Sequence, residues 1–497
     1  MNVLNVRRLT PGIKAMLVLG CAIMTGFMWR VRGSHGWGSM WGMFAVGVML
    51  VLFIFAFFGN RQKMRLEAIP IAVILLGITN GGWGTLNSQM GGYLQSTVPF
   101  TGQEAVDITE ISAGSGMTIM LLLGFGWMPL FAMFIASLFS KKQYKFWHYI
   151  ILIAVFYAVV YLFQFVVAHY ILPFISPEAV EGFKLGLADR GHDMSPMMAY
   201  IEKLGDESWF KKIPYGRNYF ACIRVISYSA GALVLSLATL IFKRDVVTSL
   251  VSFAINTISA ISITLADIVM VIDSDRGFFA AVKTENLPGF LQGSNWSLWE
   301  YLTGFLLGFG IMLLLVYLPK KVTGGEGDFD YALPCKNKKL YAAYSIIFTL
   351  FFTFVLTVAR PAGMRIAEIF ELKGLGDEDT FTVIFAVIIG AIGFIPCIIT
   401  AHKNIVKKNL PNVYAKRAED FCLDYIPVYF GITALLYFVF SDSGIVSNIS
   451  AVKAKGPASL YEMILGGDLF IVTLMLVSFA IFNLIYFVAL RRCVKKK

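Results

Sequence analysis

Charge is what this sequence has least of. Only 15% of its 497 residues are Asp, Glu, Lys or Arg and 57% are hydrophobic, where a soluble domain carries roughly a quarter charged residues. That composition excludes an ordinary water-soluble globule and points to repeated bilayer crossings. Cysteine is also scarce. Cys21, Cys222 and Cys397 fall in apolar runs, and Cys335, Cys422 and Cys493 fall on or near the side read below as cytoplasmic. No outer disulfide framework is therefore expected. CxxC, HExxH, Walker and dinucleotide-binding glycine motifs are all missing. Their absence argues against an ATP-driven pump contained in this chain, and no cofactor or metal is expected. Acidic residues number 31 against 42 basic ones, for a net charge of +11. The lysines and arginines cluster between apolar runs, which is the positive-inside signal of a membrane protein and not the footprint of a nucleic-acid partner.

What the chain does have is apolar runs. They cover residues 13–29, 40–59, 68–82, 117–139, 147–172, 219–242, 246–272, 298–318, 340–359, 381–401, 422–440 and 468–490. The fold class expected is all-α and polytopic, with about twelve transmembrane helices. Alternate connectors carry the positive charge, among them Arg61-Lys63-Arg65, Lys141-Lys142-Lys145, Lys243-Arg244 and Lys407-Lys408. Residues 83–116 hold no lysine or arginine but do hold Glu104, Asp107 and Glu110. This alternation places both termini in the cytoplasm and predicts a multi-pass protein of the cell, or inner, membrane. The Arg7-Arg8 start followed by Ile13–Met28 reads as a first helix that is retained. The connector 173–218 reads as a partly helical outer cap.

Two local patterns recur six runs apart. Ser39-Met40-Trp41 opens the second run and Ser297-Leu298-Trp299 the eighth; Gly126-Trp127-Met128-Pro129 lies in the fourth and Gly393-Phe394-Ile395-Pro396 in the tenth. These matches predict two parallel six-helix halves, residues 1–245 and 246–497. Such an arrangement resembles that of the major facilitator transporters. The signature of that family should follow Gly59, where this chain reads Asn60-Arg61-Gln62-Lys63-Met64-Arg65 without its aspartate or second glycine. The likeness is one of arrangement, and no family is assigned from it.

The densest polar material is Phe27–Met43, reading FMWRVRGSHGWGSMWGM. Arginine near hydrocarbon is costly and is kept for pairing, for an interface or for an anionic ligand. Glycine permits irregular backbone lining a protected cavity. The plainer reading is an interfacial turn with an aromatic belt. Arg30 and Arg32 point about 200° apart on a helix. Arg30 is expected to face inward, paired with Asp267 or a ligand anion, and Arg32 to snorkel outward. Polar stripes run along later helices: Tyr157, Tyr161 and Gln164 with His169 nearby; Arg224 with Ser227 and Gly231; Ser249, Ser252, Asn256, Ser259 and Asp267; and Ser345, Thr349, Thr353 and Thr357 continuing to Arg360. Each has a plain alternative in helix–helix packing through hydroxyls and small residues.

These features favour a secondary transporter of a small polar or anionic solute, such as a sugar acid or organic anion, working by alternating access between the halves. Expected solute-binding residues are Arg30, His35, Trp37, Trp41, Asn87, Gln164, Arg224, Asn256, Trp299, Thr353 and Arg360. Asp267 and Glu300 are the candidates for proton coupling, although Glu300 also suits the start of a helix as a dipole-complementing acid. Partners are the solute and the lipid bilayer. The alternative is an integral-membrane transferase of acyl, glycosyl or phosphoryl groups, built on His35, His192, Glu104, Asp107 and Glu110 and acting at the outer face on a lipid-linked substrate.

Overall fold

The computed structural model describes residues 10–32, 39–58, 68–80, 112–272, 296–318, 347, 349–369, 378–401, 418–440, 446, 477 and 480. Among them the regular structure is helical, with no strand. Five helices are long and apolar enough to cross a membrane, or six when one bent pair is counted as a single span. Shorter apolar helices cover Gly42–Phe58, Ala68–Thr79, Phe381–Ile392 and Val428–Phe440. The chain is thus an all-α, membrane-embedded protein. The lipid-facing character is plainest over Phe146–Ile175, where only 22% of the most apolar window is buried. Trp147, Ile151, Leu162 and Phe174 stand exposed there, which a water-soluble fold would not tolerate as one contiguous face.

The chain divides into two compact units. The first comprises Met1–Ile78, Leu138–Lys145 and Pro288–Lys497. Its described helices are α1 (Pro11–Arg32), α2 (Ser39–Phe58) and α3 (Ala68–Asn80), followed later in the chain by the other long helices of the unit. The second comprises Thr79–Ser137 and Phe146–Leu287. It holds α4 (Ala113–Phe125), most of α5 (Pro129–Phe139), α6 (Phe146–Leu162), a π-helical turn (Phe163–Val167) and α7 (Ala168–Ile175). Then come α8 (Pro177–Asp189), α9 (Pro196–Glu202), α10 (Glu207–Phe210), α11 (Gly216–Lys243) and α12 (Val246–Ile272). The first unit resumes with α13 (Trp296–Tyr317), a π-helical stretch (Phe351–Ala359), α14 (Arg360–Ile369), α15 (Glu378–Ala401) and α16 (Ala418–Phe440).

In the first unit α1 packs most extensively along α13. Glycine makes this closeness possible: a Cβ on Gly304 would lie 2.5 Å from the Thr25 carbonyl oxygen, and one on Gly308 would lie 2.9 Å from that of Cys21. Two small residues four apart let helix backbones approach, which is how helices associate where lipid supplies no hydrophobic drive. The π-helical stretch packs on α2 and α15.

In the second unit α11 is the central helix, touching α4, α6, α7, α8 and α12. Gly124 of α4 lies directly against the Ala260 backbone of α12. The segment between α7 and α11 is the expected helical cap, made of α8, α9 and α10. Pro177 and Pro196 start two of these helices, where their missing N–H costs nothing. Glu178 ties the cap to the start of α4, accepting from the Ser112 backbone N–H at 3.3 Å and from the Ser115 hydroxyl at 3.0 Å. Burial alone would raise the Glu178 carboxyl. Hydrogen bonds from its own backbone, Ser112 and Ser115 outweigh that and hold it below the usual carboxylate range. A depressed carboxyl contributes stability above its unfolded pKa and loses it as pH falls through the lower folded value. Protection of the Ser112–Gly116 amides from hydrogen exchange should therefore weaken below pH of about 4, the ordinary carboxylate range. In Glu178→Gln that pH dependence should disappear.

The repeated glycine–aromatic–x–proline pattern has two backbone outcomes. Gly126–Met128 breaks the fourth run into α4 and α5, bent by 49°, whereas Gly393–Pro396 lies within the continuous helix α15. Residues 468–490, the twelfth run, fall outside the described residues except for two helical positions.

Candidate functional site

The most developed polar centre in the second unit is built around Arg224. This residue sits two turns into α11 and is half-buried. Its guanidinium lies 5.5 Å from the Phe220 ring centroid and 5.7 Å from that of Tyr228. Both rings are one turn away on the same helix, so they hold the guanidinium by its faces and leave its donors free. Tyr200 comes from the cap. Its hydroxyl lies beside the Arg224 guanidinium and the Gln164 amide without a well-formed hydrogen bond to either. Burial pushes the Tyr200 phenol up, with Arg224 and Gln164 opposing this, so Tyr200 stays a neutral donor at physiological pH.

Gln164 reaches this centre because α6 does not continue as a regular helix. The π-helical turn adds a residue to one turn, a local widening that recurs at functional sites. Gln164 is buried there, while Tyr161, expected on the same stripe, is 59% exposed toward lipid. His169, just past the turn, is buried and its Nδ1 lies 2.6 Å from the Tyr219 hydroxyl. Its Nε2 is buried with no hydrogen-bond partner among the described residues. The cap closes over this group by a tight turn in which Leu204 and Gly205 both have positive φ, 50° and 64°. A Cβ on Gly205 would lie 3.1 Å from both Gln164 Nε2 and the Tyr200 hydroxyl. Leu204 in this region is strained, the kind of backbone that persists where surrounding structure fixes it.

Chemically this is a donor-rich group: one guanidinium, neutral phenols, a carboxamide and an imidazole. Among the described residues no carboxylate pairs with Arg224. Comparison with known families, with curated proteins and with solved structures finds no match. The functional argument therefore rests on this chemistry alone.

Further along the second unit, the stripe on α12 is buried throughout: Ser249, Ser252, Asn256, Ser259 and Asp267 are each at most 7% exposed. Ser252 lies 3.1 Å from Ser236 of α11 and bonds back to the Ser249 carbonyl at 3.0 Å, so it acts as helix glue. Asn256 is 1% exposed, and neither side-chain amide atom has a partner among the described residues. Asp267 is fully buried and does interact.

In the first unit the structure places three of the singled-out charges, Arg30, Glu300 and Arg32. Arg30 pairs with Glu300, Nη1 to Oε2 at 3.1 Å. Glu300 is accordingly not an exposed helix-start acid. It is 7% exposed and tied to a guanidinium. Arg32 does not snorkel; it is 5% exposed, as deep as Arg30 at 6%. Its guanidinium stacks 5.7 Å from the Trp29 ring centroid and interacts with Glu300. A carboxylate shared by two arginines removes the electrostatic reason for Arg32 to seek water.

Trp299 is buried beside Glu300 in sequence. Thr353 and Thr357, on the π-helical stretch, face Tyr425 at 3.2 Å and Tyr429 at 2.8 Å, and both also bond back to carbonyls one turn earlier. Helix-to-helix glue is what this geometry describes. Arg360 is half-buried and engaged. His35, Trp37 and Asn87 lie outside the described residues; Trp41 belongs to α2, but its side chain is outside them as well.

Of the expected solute-binding residues, the structure thus brings Gln164 and Arg224 together. Sequence reasoning missed Tyr200 and Tyr219, which reach the group from the cap and from the start of α11. The available signal was the aromatic density of residues 200–228 next to an intramembrane arginine.

Proposed function

We propose that the chain is a secondary transporter of a small polar or anionic solute in the cell membrane, and that Arg224 receives the solute's carboxylate or phosphate. One observation carries the reading. An arginine within a membrane-spanning helix, held by ring faces, has no carboxylate partner among the described residues. Intramembrane cations are expensive and mark ligand pathways when no structural ion pair accounts for them. Guanidinium presents planar paired donors that match carboxylate or phosphate. Gln164 and Tyr200 add neutral donors suited to hydroxyl groups on the same molecule. The chain is read with both termini cytoplasmic and with alternating access of the site to the two sides.

The test is uptake into proteoliposomes across a panel of sugar acids, organic anions and phosphorylated small molecules. Saturable uptake of one class above that of protein-free vesicles supports the reading. Absence of uptake together with turnover of a lipid-linked acceptor at the outer face would turn it to the transferase. Orientation is tested separately. Arg190→Cys on the cap and Gln143→Cys beside the lysine cluster are both at exposed positions. An impermeant thiol reagent should label the first from outside cells and the second only after the membrane is opened. The reverse labelling would invert the topology.

A further inference from the structure

We infer that the break between α4 and α5 is a binding site for a monovalent alkali cation, formed by main-chain carbonyls of the broken span and by Asn256 of α12. The break has a definite chemical origin. Pro129 has no N–H, so the Phe125 carbonyl four residues earlier loses the donor that a continuous helix would supply. The Gly126 N–H bonds to the Leu122 carbonyl at 3.0 Å and the Trp127 N–H to that of Gly124 at 3.3 Å. The Leu123 carbonyl is therefore skipped as well. Leu122 also accepts from the Ser229 hydroxyl. The end of α4 thus carries two carbonyls, Leu123 and Phe125, without backbone donors, at the negative end of a helix dipole.

Asn256 is placed at this end by helix geometry. Phe253 packs on Phe125, with ring centroids 5.3 Å apart, and Ala260 lies against Gly124. Asn256 lies between them on α12, about 60° from Phe253 and about 40° from Ala260 around the helix axis. On its other side, Ser252 meets α11 through Ser236. Asn256 therefore points into the corner where α4, α11 and α12 meet, and Gly126 lies against the Tyr228–Ser229 backbone of α11 in that same corner. Ser259, about 60° away and one turn on, has a fully buried hydroxyl that likewise lacks a partner among the described residues.

A buried carboxamide without partners among the described residues is costly, and a bound cation would give its oxygen a partner while the Nδ2 donors turn to the orphaned carbonyls or to water. Orphaned carbonyls, an amide oxygen and a hydroxyl are neutral hard oxygens. Such a set suits an alkali cation, whereas calcium and magnesium sites draw on carboxylates. Asp267 shares the face of Asn256 but lies about 16 Å further along the helix, eleven residues at 1.5 Å each. Broken spans elsewhere use unwound carbonyls to hold coupling ions. By length α4 and α5 are about 20 Å and about 17 Å, so the break falls well inside the hydrocarbon. The inference does not rest on the Arg224 reading, since cation binding is measured without solute.

The experiment is thermal unfolding of the purified full-length protein in detergent, titrated with NaCl or KCl against N-methylglucamine chloride at constant ionic strength. Saturable stabilisation by sodium or potassium is expected. Asn256→Ala should abolish it without lowering the melting temperature in N-methylglucamine, because the amide it removes is unpaired there. Pro129→Ala returns an N–H to the Phe125 carbonyl and should raise the half-saturating cation concentration about tenfold, the equivalent of one ligand worth roughly 1.4 kcal/mol. Equal stability in all three salts, or a cation response retained in full by both variants, would overturn the inference. Should Asn256→Ala not fold, the shift in Pro129→Ala decides alone.

Discussion

Arg224→Gln should bind solute at least about a hundredfold more weakly than the wild-type protein, a loss of roughly 3 kcal/mol or more, as when one partner of a buried charge-assisted contact is removed. Surface abundance should be unchanged. The contacts of Arg224 within the protein are two ring faces at 5.5 and 5.7 Å, each worth only about 0.5–1 kcal/mol at a partly exposed site, and the adjacent neutral Tyr200 hydroxyl. Removing a cation from a membrane-spanning helix also relieves a desolvation cost of about the same size or larger. The variant should therefore fold at least as well while failing to bind. Arg224→Lys keeps the charge but not the planar pair of donors and should recover only a small part of the affinity. Tyr200→Phe should weaken binding less than Arg224→Gln does, because a neutral hydrogen bond is worth less than a charged one. Measured together, affinity and abundance separate a ligand-binding arginine from a structural one. Parallel loss of both in Arg224→Gln would make the residue structural.

The second large effect belongs to stability. Glu300→Gln should destabilise the first unit by about 3–5 kcal/mol, the cost of leaving buried charge without its partner. Two arginines lean on this one carboxylate, Arg30 at 3.1 Å and Arg32 through space. Arg30→Met should cost less, because Arg32 remains beside Glu300. Combining Arg30→Met with Glu300→Gln should recover stability relative to Glu300→Gln alone. Buried ion pairs replaced as a unit by neutral groups are often neutral in effect. Melting temperature and the monodisperse fraction in detergent report all three variants. If Glu300→Gln were as stable as wild type, the carboxylate would already be protonated in the folded protein, as the expected proton carrier would be.

Much of the fold was legible because hydrophobic run length is a strong signal. The runs at 13–29, 219–242 and 246–272 became Pro11–Arg32, Gly216–Lys243 and Val246–Ile272 with ends shifted by at most three residues. The run at 117–139 was read as one helix. Its break at Gly126–Met128 was visible only as a repeated motif, although a glycine followed closely by proline is also a local reason to break. The same motif at Gly393–Pro396 leaves α15 helical, so the sequence alone does not determine which outcome applies. At the broken copy, Gly126 lies against the α11 backbone.

The candidate site was partly legible. Gln164, Arg224 and Asn256 stand out as polar residues inside apolar helices, and all three are wholly or partly buried. The pairing of Arg30 with Glu300, residues 270 apart in sequence, is a tertiary fact that no periodicity encodes. Register was also misjudged where π turns intervene. A 3.6-residue period put Tyr161 with Gln164, whereas the widened turn at Phe163–Val167 buries one and leaves the other to lipid.

The central claim, that Arg224 serves a carrier, is tested most directly by counterflow. Proteoliposomes preloaded with an unlabelled solute from the panel are diluted into a trace of the same solute carrying a radiolabel. A carrier that alternates access exchanges label for unlabelled solute, so label inside should rise above its equilibrium level and then decay. Wild-type protein should show this overshoot, and Arg224→Gln, inserted to the same amount, should not. Equilibration without overshoot, or an equal overshoot in Arg224→Gln, would contradict the account.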